Sequence, residues 1–375
     1  MNAPTQGIQA KASTNGLLLP GLPRLPTLDG WRAVCILFVL GAHCTVTDRF
    51  PLRLAPAFVW LFDGSLGVRF FFVISGFLIT WLMLAEGRRN GVVNLRHFYI
   101  RRALRILPVY LAFAASLLAL QTFTTLRLDG RSWVGILTFT TNIVGSSSWT
   151  GGHLWSLAEE EQFYLLWPLL FRWSRAHARL RTAACLLGVP ILLCPVIRVL
   201  GYLRMMPAAY YRGFGVSSCD SIAFGCALAV LYAHRRGQVH AFIARRRRAT
   251  ALAGAVLILV PYALTKLFLF GIVTVPLGES FEAAGFCMLL LTGICEPDFA
   301  FFRILSLRWI CWVGALSYSV YIWQQIFCTS PSSYGIAHLW CLSFPWWLAA
   351  AFLTAFISYY AFERPLFGLR RHFRD

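Results

Sequence analysis

Long apolar stretches recur along the whole chain, and that one property removes most folds from consideration. Ten segments come close to the ~20 largely apolar residues a helix needs to cross a bilayer. They are 28–47, 65–85, 106–126, 151–171, 182–202, 216–233, 249–270, 279–295, 309–330 and 340–362. In lipid a segment must satisfy its own backbone N–H and C=O groups, which favours helices. The expected fold is therefore an all-α membrane protein, a polytopic bundle of about ten transmembrane helices. Composition agrees: 58% of residues are hydrophobic, 13% are charged and the mean hydropathy is +0.64, values of the membrane class rather than of soluble domains. The first stretch is short, and polar groups interrupt the sixth.

Charge gives the orientation. The formal net charge is +19, which in a soluble chain would suggest nucleic acid. Here the 34 basic residues are sorted by segment. With the N-terminus inside, the inside segments hold 24 of them and the outside segments 6. Lys and Arg accumulate on the cytoplasmic side, so both termini are expected there. The Arg245–Arg248 run then meets anionic lipid headgroups and needs no nucleic acid. Residues 1–24 read as a cytoplasmic tail without a secretory signal, 25–366 as the helical domain and 367–375 as a basic cytoplasmic tail. Eleven cysteines lie mostly within apolar stretches with no C-x-x-C pair, so neither a metal site nor a disulfide framework is expected.

The first apolar stretch carries three polar side chains. Arg32 and His43 are eleven residues apart, almost three helical turns, so they share a face about 16 Å apart along the axis. Asp29, three residues before Arg32, falls within about 40° of that face. Ionisable groups at membrane depth are costly and mark function by default. The alternative is a histidine packed between helices and satisfied by a neighbour.

Three other segments carry chemistry. Arg102 and Arg105 stand at i and i+3 before the third stretch, two adjacent guanidiniums suited to phosphate oxygens; an ordinary lipid-facing basic cluster is the alternative. Glu159, Glu160 and Glu161 precede an aromatic run at 163–170. Glu159 reads as a solvated helix start favoured by the dipole, whereas Glu160 and Glu161 read as carboxylates able to orient an imidazole or accept a proton. Ser75 and Gly76 in a very apolar helix suggest close helix packing. Tyr318, Tyr321 and Gln324, with Ser317 and Ser319, form either helix contacts or a polar wall for a sugar.

Together these segments resemble the acyltransferase-3 family of integral membrane acyltransferases, from LDGWRA at 28 to FERPL at 362–366. The motifs are Arg32-x10-His43, Arg102-x-x-Arg105, SGFLI at 75–79, LWSLxxEEQFYLLWP at 154–168 and SYSxYxW at 317–323. The resemblance implies a ten-helix core. Such a core takes an acyl group from cytoplasmic acyl-CoA, acetyl-CoA by default, and passes it to a hydroxyl of a glycan or glycolipid-type acceptor. It also implies that His43 is the essential histidine with Arg32 as motif partner, that Arg102 and Arg105 hold the CoA phosphates, and that Glu160 and Glu161 are the paired glutamates. Ser75, Tyr318, Tyr321 and Gln324 are then candidates for the substrate pocket. Three positions depart from the family pattern: Arg69 stands where an acid is frequent, Gln324 where histidine is common, and Glu159 where an apolar residue is usual; Arg69 and Gln324 are expected to reshape the acceptor pocket. Some members carry an appended extracytoplasmic hydrolase-like domain, and with thirteen residues after Phe362 none is expected here.

The expected chemistry is direct transfer with His43 as general base, an acyl-histidine being the less favoured route. Arg32 would stabilise the oxyanion of the tetrahedral intermediate, held in place by Asp29. With its helix starting inside, His43 lies about 20 Å from the cytoplasmic end. The rival from another class is a saccharide transporter or flippase, which also places Arg and His within a bundle; a sensor or scaffold is a third.

Overall fold

The computed structural model of the chain describes residues 25–371 except 46, 48–49, 52–55, 175–179, 206–217 and 337–338. The expected tail over 1–24 lies outside the described residues, and the expected 367–375 tail is described as far as 371, within a helix. No strand occurs among the described residues. In chain order the helices are α1 (Pro26–Cys44), α2 (Pro56–Leu61), α3 (Gly64–Asn90), α4 (Leu95–Phe123), α5 (Gly130–Thr138), α6 (Thr141–Val144) and α7 (Trp149–Gly152). They continue as α8 (Leu154–Trp173), α9 (Leu180–Tyr202), α10 (Cys219–Lys266), α11 (Gly271–Cys295), α12 (Ala300–Leu305), α13 (Arg308–Phe327), α14 (Trp346–Ser358) and α15 (Arg364–Arg371). A π-helical segment, Tyr359–Glu363, joins the last two.

Among the described residues six helical segments are long and apolar enough to cross a membrane: Pro26–Cys44, Ala57–Asn90, Leu95–Phe123, Leu180–Tyr202, Cys219–Lys266 and Gly271–Cys295. The remaining apolar stretches are helical but shorter or more polar. Helix α8 carries three glutamates and Arg172, α13 carries Ser317, Ser319, Gln324 and Gln325, and α14 has only 13 residues. The 48 residues of α10 would extend about 72 Å if straight, more than twice the ~30 Å hydrocarbon core. The helix breaks instead, with non-helical backbone at Arg235 (φ −126°, ψ 25°) and Arg246 (φ −131°, ψ 23°). Arginines therefore stand at both breaks. Outward-facing leucines such as Leu111, Leu118, Leu166, Leu192, Leu252 and Leu353 leave an apolar surface that suits lipid rather than water.

Helix ends and contacts place the site. Pro26 begins α1, Asp29 lies in its first turn and His43 in its last, a charge order that complements the helix dipole. Helix α1 packs against α3 and α13. At Gly314 of α13 an added Cβ would stand 1.8 Å from the Asp29 carbonyl oxygen, so only glycine lets the two backbones touch there. The same holds where α3 meets α10: a Cβ at Gly76 would lie 2.0 Å from Ile222 O, and one at Gly225 2.0 Å from Val73 O. Close packing was the plainer expectation for Ser75-Gly76, and it describes Gly76.

The buried apolar residues fall into two clusters. The larger joins α1, α3, α10 and α11 through residues such as Ile36, Val73, Phe77, Ile222 and Leu290. The second joins α4, α5, α8 and α13 through Val109, Phe113, Ile136, Leu154 and Ile322. His43 lies in the last turn of α1, and His153 stands between α7 and α8 against Gln325 of α13.

Candidate active site

His43 is held on two sides at the end of α1. Its Nδ1 lies 2.9 Å from Gln324 Oε1 on α13. The edge of Trp149 packs against its ring, with centroids 5.0 Å apart at 72°. Trp149 is itself fixed, because its Nε1 donates to the Cys328 carbonyl at 2.7 Å. A carbonyl oxygen accepts only, so with Oε1 facing it Nδ1 carries the proton and Nε2 is the basic nitrogen. Gln324 is fully buried, and its Nε2 has no hydrogen-bond partner among the described residues.

His43 lines a cavity of about 550 Å³ together with Asp63, Trp149, His153, Trp155, Lys266, Tyr321 and Gln325. That volume is typical of small-molecule sites. His153 sits at the junction of α7 and α8, where it ends one helix and begins the next. Gln325 Oε1 accepts from the His153 backbone N–H at 3.1 Å and lies 2.6 Å from its Nδ1. His153 Nε2 lies 3.1 Å from the Ile322 carbonyl. Tyr321 donates its hydroxyl to the His153 carbonyl at 2.8 Å. The adjacent glutamines of α13 thus hold one histidine each.

The other expected residues form separate clusters. Arg32 Nη1 is 3.7 Å from Asp29 Oδ1 on the first turns of α1, and neither lines the cavity. Arg102 on α4 is fully engaged by α8. Its Nη2 is 2.5 Å from Glu161 Oε1 and 3.5 Å from Glu160 Oε1, its Nε donates to the same Glu161 oxygen at 3.1 Å, and its guanidinium lies 3.4 Å over the Tyr164 ring. Tyr164 donates to Glu160 at 2.6 Å and hydrogen-bonds the Ser75 side chain. Arg105 has no hydrogen bond or ion pair among the described residues, although Arg32, Arg102, Glu160 and Glu363 all lie within reach of its charge. The two arginines of Arg102-x-x-Arg105 therefore differ: one is occupied and one is open. Tyr318 faces α4, donating to the Ile106 carbonyl at 3.0 Å. Of the four pocket candidates only Tyr321 lines the cavity. Gln324 lies behind it, against His43.

Two sequence readings are corrected. Glu159 is not a solvated helix start. It is 2% exposed and accepts from the Ser218 N–H at 3.2 Å, while Glu160 and Glu161 are more exposed. Its neighbourhood is a buried ionic network in which Arg198 pairs with Asp220 at 2.5 Å and Glu279 at 3.3 Å. Arg69, expected to shape the acceptor pocket, faces α11 instead, 2.6 Å from Glu282 and 3.8 Å from Glu279, while its neighbour Val68 lines the cavity. His153, Gln325, Asp63 and Lys266 escaped the sequence reading. Signals for two of them were present, in a histidine just before LWSL and a lysine within an apolar stretch.

The acyltransferase-domain family model matches residues 25–363. The chain is an integral membrane protein of the acyltransferase-3 family. Over 91% of its length it is 26% identical to a peptidoglycan O-acetyltransferase, OatA, of Listeria monocytogenes, covering 56% of that protein. It is 27% identical to a putative peptidoglycan O-acetyltransferase, YrhL, of Bacillus subtilis, over 91% of this chain and 55% of the relative. A shorter region, 39% of the chain, is 33% identical to a putative O-acetyltransferase of Staphylococcus aureus, covering 24% of it. The chain spans little more than half the length of the first two relatives. No solved structure matches it.

Proposed function

We propose that this protein transfers an acyl group, acetyl by default, from acyl-CoA to a hydroxyl of a glycan or glycolipid-type acceptor, with His43 as general base. The observation that carries the reading is the Gln324 carbonyl against His43 Nδ1, which leaves Nε2 as the lone pair of an imidazole lining the cavity. A hydroxyl in that cavity gives its proton to Nε2 as its oxygen attacks the thioester carbonyl carbon. The tetrahedral intermediate collapses with cleavage of the C–S bond, and the proton held on His43 passes to the departing CoA thiolate. Products are the O-acyl ester and CoA–SH, with no net proton gained or lost. A glycan acceptor is supported by the names of two relatives matched over 91% of the chain.

The donor side follows from the unequal arginines. Arg105, open and near Arg32, takes a CoA phosphate directly. Arg102, tied to Glu161 and Glu160, is a positioning residue that fixes α4 against α8. Ten crossings follow if the two long arms of α10 are counted separately and α8, α13 and α14 are included. Both termini then lie on the cytoplasmic side of the inner membrane, and His43 lies toward the opposite face. The cavity would open away from the cytoplasm, where an extracytoplasmic glycan can enter.

The test is acyl transfer by purified protein in detergent supplied with acetyl-CoA and a soluble glycan, read by mass spectrometry. A gain of one acetyl mass per modified sugar is expected. A transporter instead moves the glycan into proteoliposomes and leaves its mass unchanged, which would replace this reading.

A further inference from the structure

The cavity has a second polar end that the acyl-transfer step does not use. Asp63 precedes α3, and its two oxygens are committed in different directions. Oδ1 accepts from the Leu66 N–H at 3.1 Å, capping the helix, and Oδ2 lies 2.8 Å from Lys266 Nζ at the end of α10. Lys266 Nζ also stands 5.4 Å from the Tyr262 ring centroid, and Tyr262 donates to the Trp60 carbonyl. The pair is thus clamped to α2, α3 and α10, yet both members line the cavity that holds His43.

We propose that Asp63 and Lys266 are specificity-determining residues that bind two neighbouring hydroxyls of a pyranose ring, so that a third hydroxyl meets His43. This rests on the acyl-transfer reading for the role of His43 and adds the acceptor's recognition pattern. Each carboxylate oxygen retains acceptor capacity, and an ammonium has three N–H donors, of which Asp63 and the Tyr262 hydroxyl take two and one remains. One sugar hydroxyl donates to Asp63 while its neighbour accepts from Lys266. The pair is electrically neutral, so it suits an uncharged polyol better than an anionic group. Trp149, Trp155, Phe62 and Tyr321 line the same cavity and offer apolar faces to the C–H side of a ring. A purely structural ion pair between α3 and α10 is the competing account.

The experiment uses the full chain in detergent and a methyl pyranoside with its monodeoxy analogues, with binding read by tryptophan fluorescence and transfer by acetyl-CoA turnover. Asp63→Asn keeps a good helix cap but loses the charge, and Lys266→Met loses the donors. Each is expected to weaken pyranoside binding roughly tenfold to a hundredfold and to raise KM more than it lowers kcat. Removing one hydroxyl from the ligand should cost the wild type a similar factor and the matching variant almost nothing. Unchanged binding in both variants, or an equal deoxy penalty in wild type and variants, overturns the proposal. Because binding is measured without turnover, a wild type that binds the pyranoside through this pair but never acylates it would overturn the acyl-transfer reading alone.

Discussion

At the scale of single residues, the contacts that hold His43 set which ring nitrogen is basic. Gln324 accepts from Nδ1, so Gln324→Leu should leave the imidazole free to rotate and exchange tautomers. Steady-state transfer is expected to fall about 10–100-fold, the range for outer partners that orient an imidazole. An unchanged kcat would show that Trp149 alone fixes the ring. The arginines give a second residue-scale prediction. Arg105→Ala should weaken CoA binding by about 1.5–3 kcal/mol, the worth of one charge-assisted contact, in competition measurements with free CoA. Arg102→Ala should instead lower thermal stability, because it strips a partner from Glu160 and Glu161. Equal effects on CoA affinity would restore the symmetric role implied by the family motif. At this scale helix registers were legible in the sequence and side-chain partners were not. Periodicity put Asp29, Arg32 and His43 on one helix, whereas the pairing of Arg102 with Glu161 is a contact between residues 59 apart in sequence.

At the scale of helices, buried charge and backbone contact hold the bundle. Arg69 and Glu282 tie α3 to α11, both side chains being largely shielded. Removing one partner strands a charge: Arg69→Met should cost about 3–5 kcal/mol in detergent unfolding. Arg69→Met combined with Glu282→Met should recover most of that loss. If the single variant is as stable as wild type, the pair contributes little to the fold. Gly76→Ile on α3 would meet the Ile222 carbonyl and should lower the unfolding temperature without touching the cavity. Helix existence was legible because lipid-facing segments are apolar throughout. The boundaries of α10 were not, since its two apolar arms are joined by helical residues between Arg235 and Arg246. Glu159 was misread for a related reason: its burial depends on α10, which comes close only in three dimensions.

At the scale of the whole molecule the proposed ten crossings make a topology prediction. Reporter fusions after residues 90 and 240 should report the cytoplasmic side, and fusions after 140 and 270 the opposite side. A fusion at 240 reporting the outer side would mean that the breaks in α10 do not turn the chain back at the cytoplasmic face. The same topology would put the arginine cluster and the cavity at different depths, and the proposed donor and acceptor would then approach from opposite faces. In the proposed mechanism His43 supplies proton chemistry at this meeting point, and His43→Gln probes that role. Glutamine keeps a polar side chain of similar reach but cannot take a proton near neutral pH. Acetyl transfer by the purified variant, matched to wild type for yield and monodispersity, should fall ~10²–10⁴-fold, the usual worth of a general base. Transfer at close to the wild-type rate would contradict the account and return His43 to a packing role between α1 and α13.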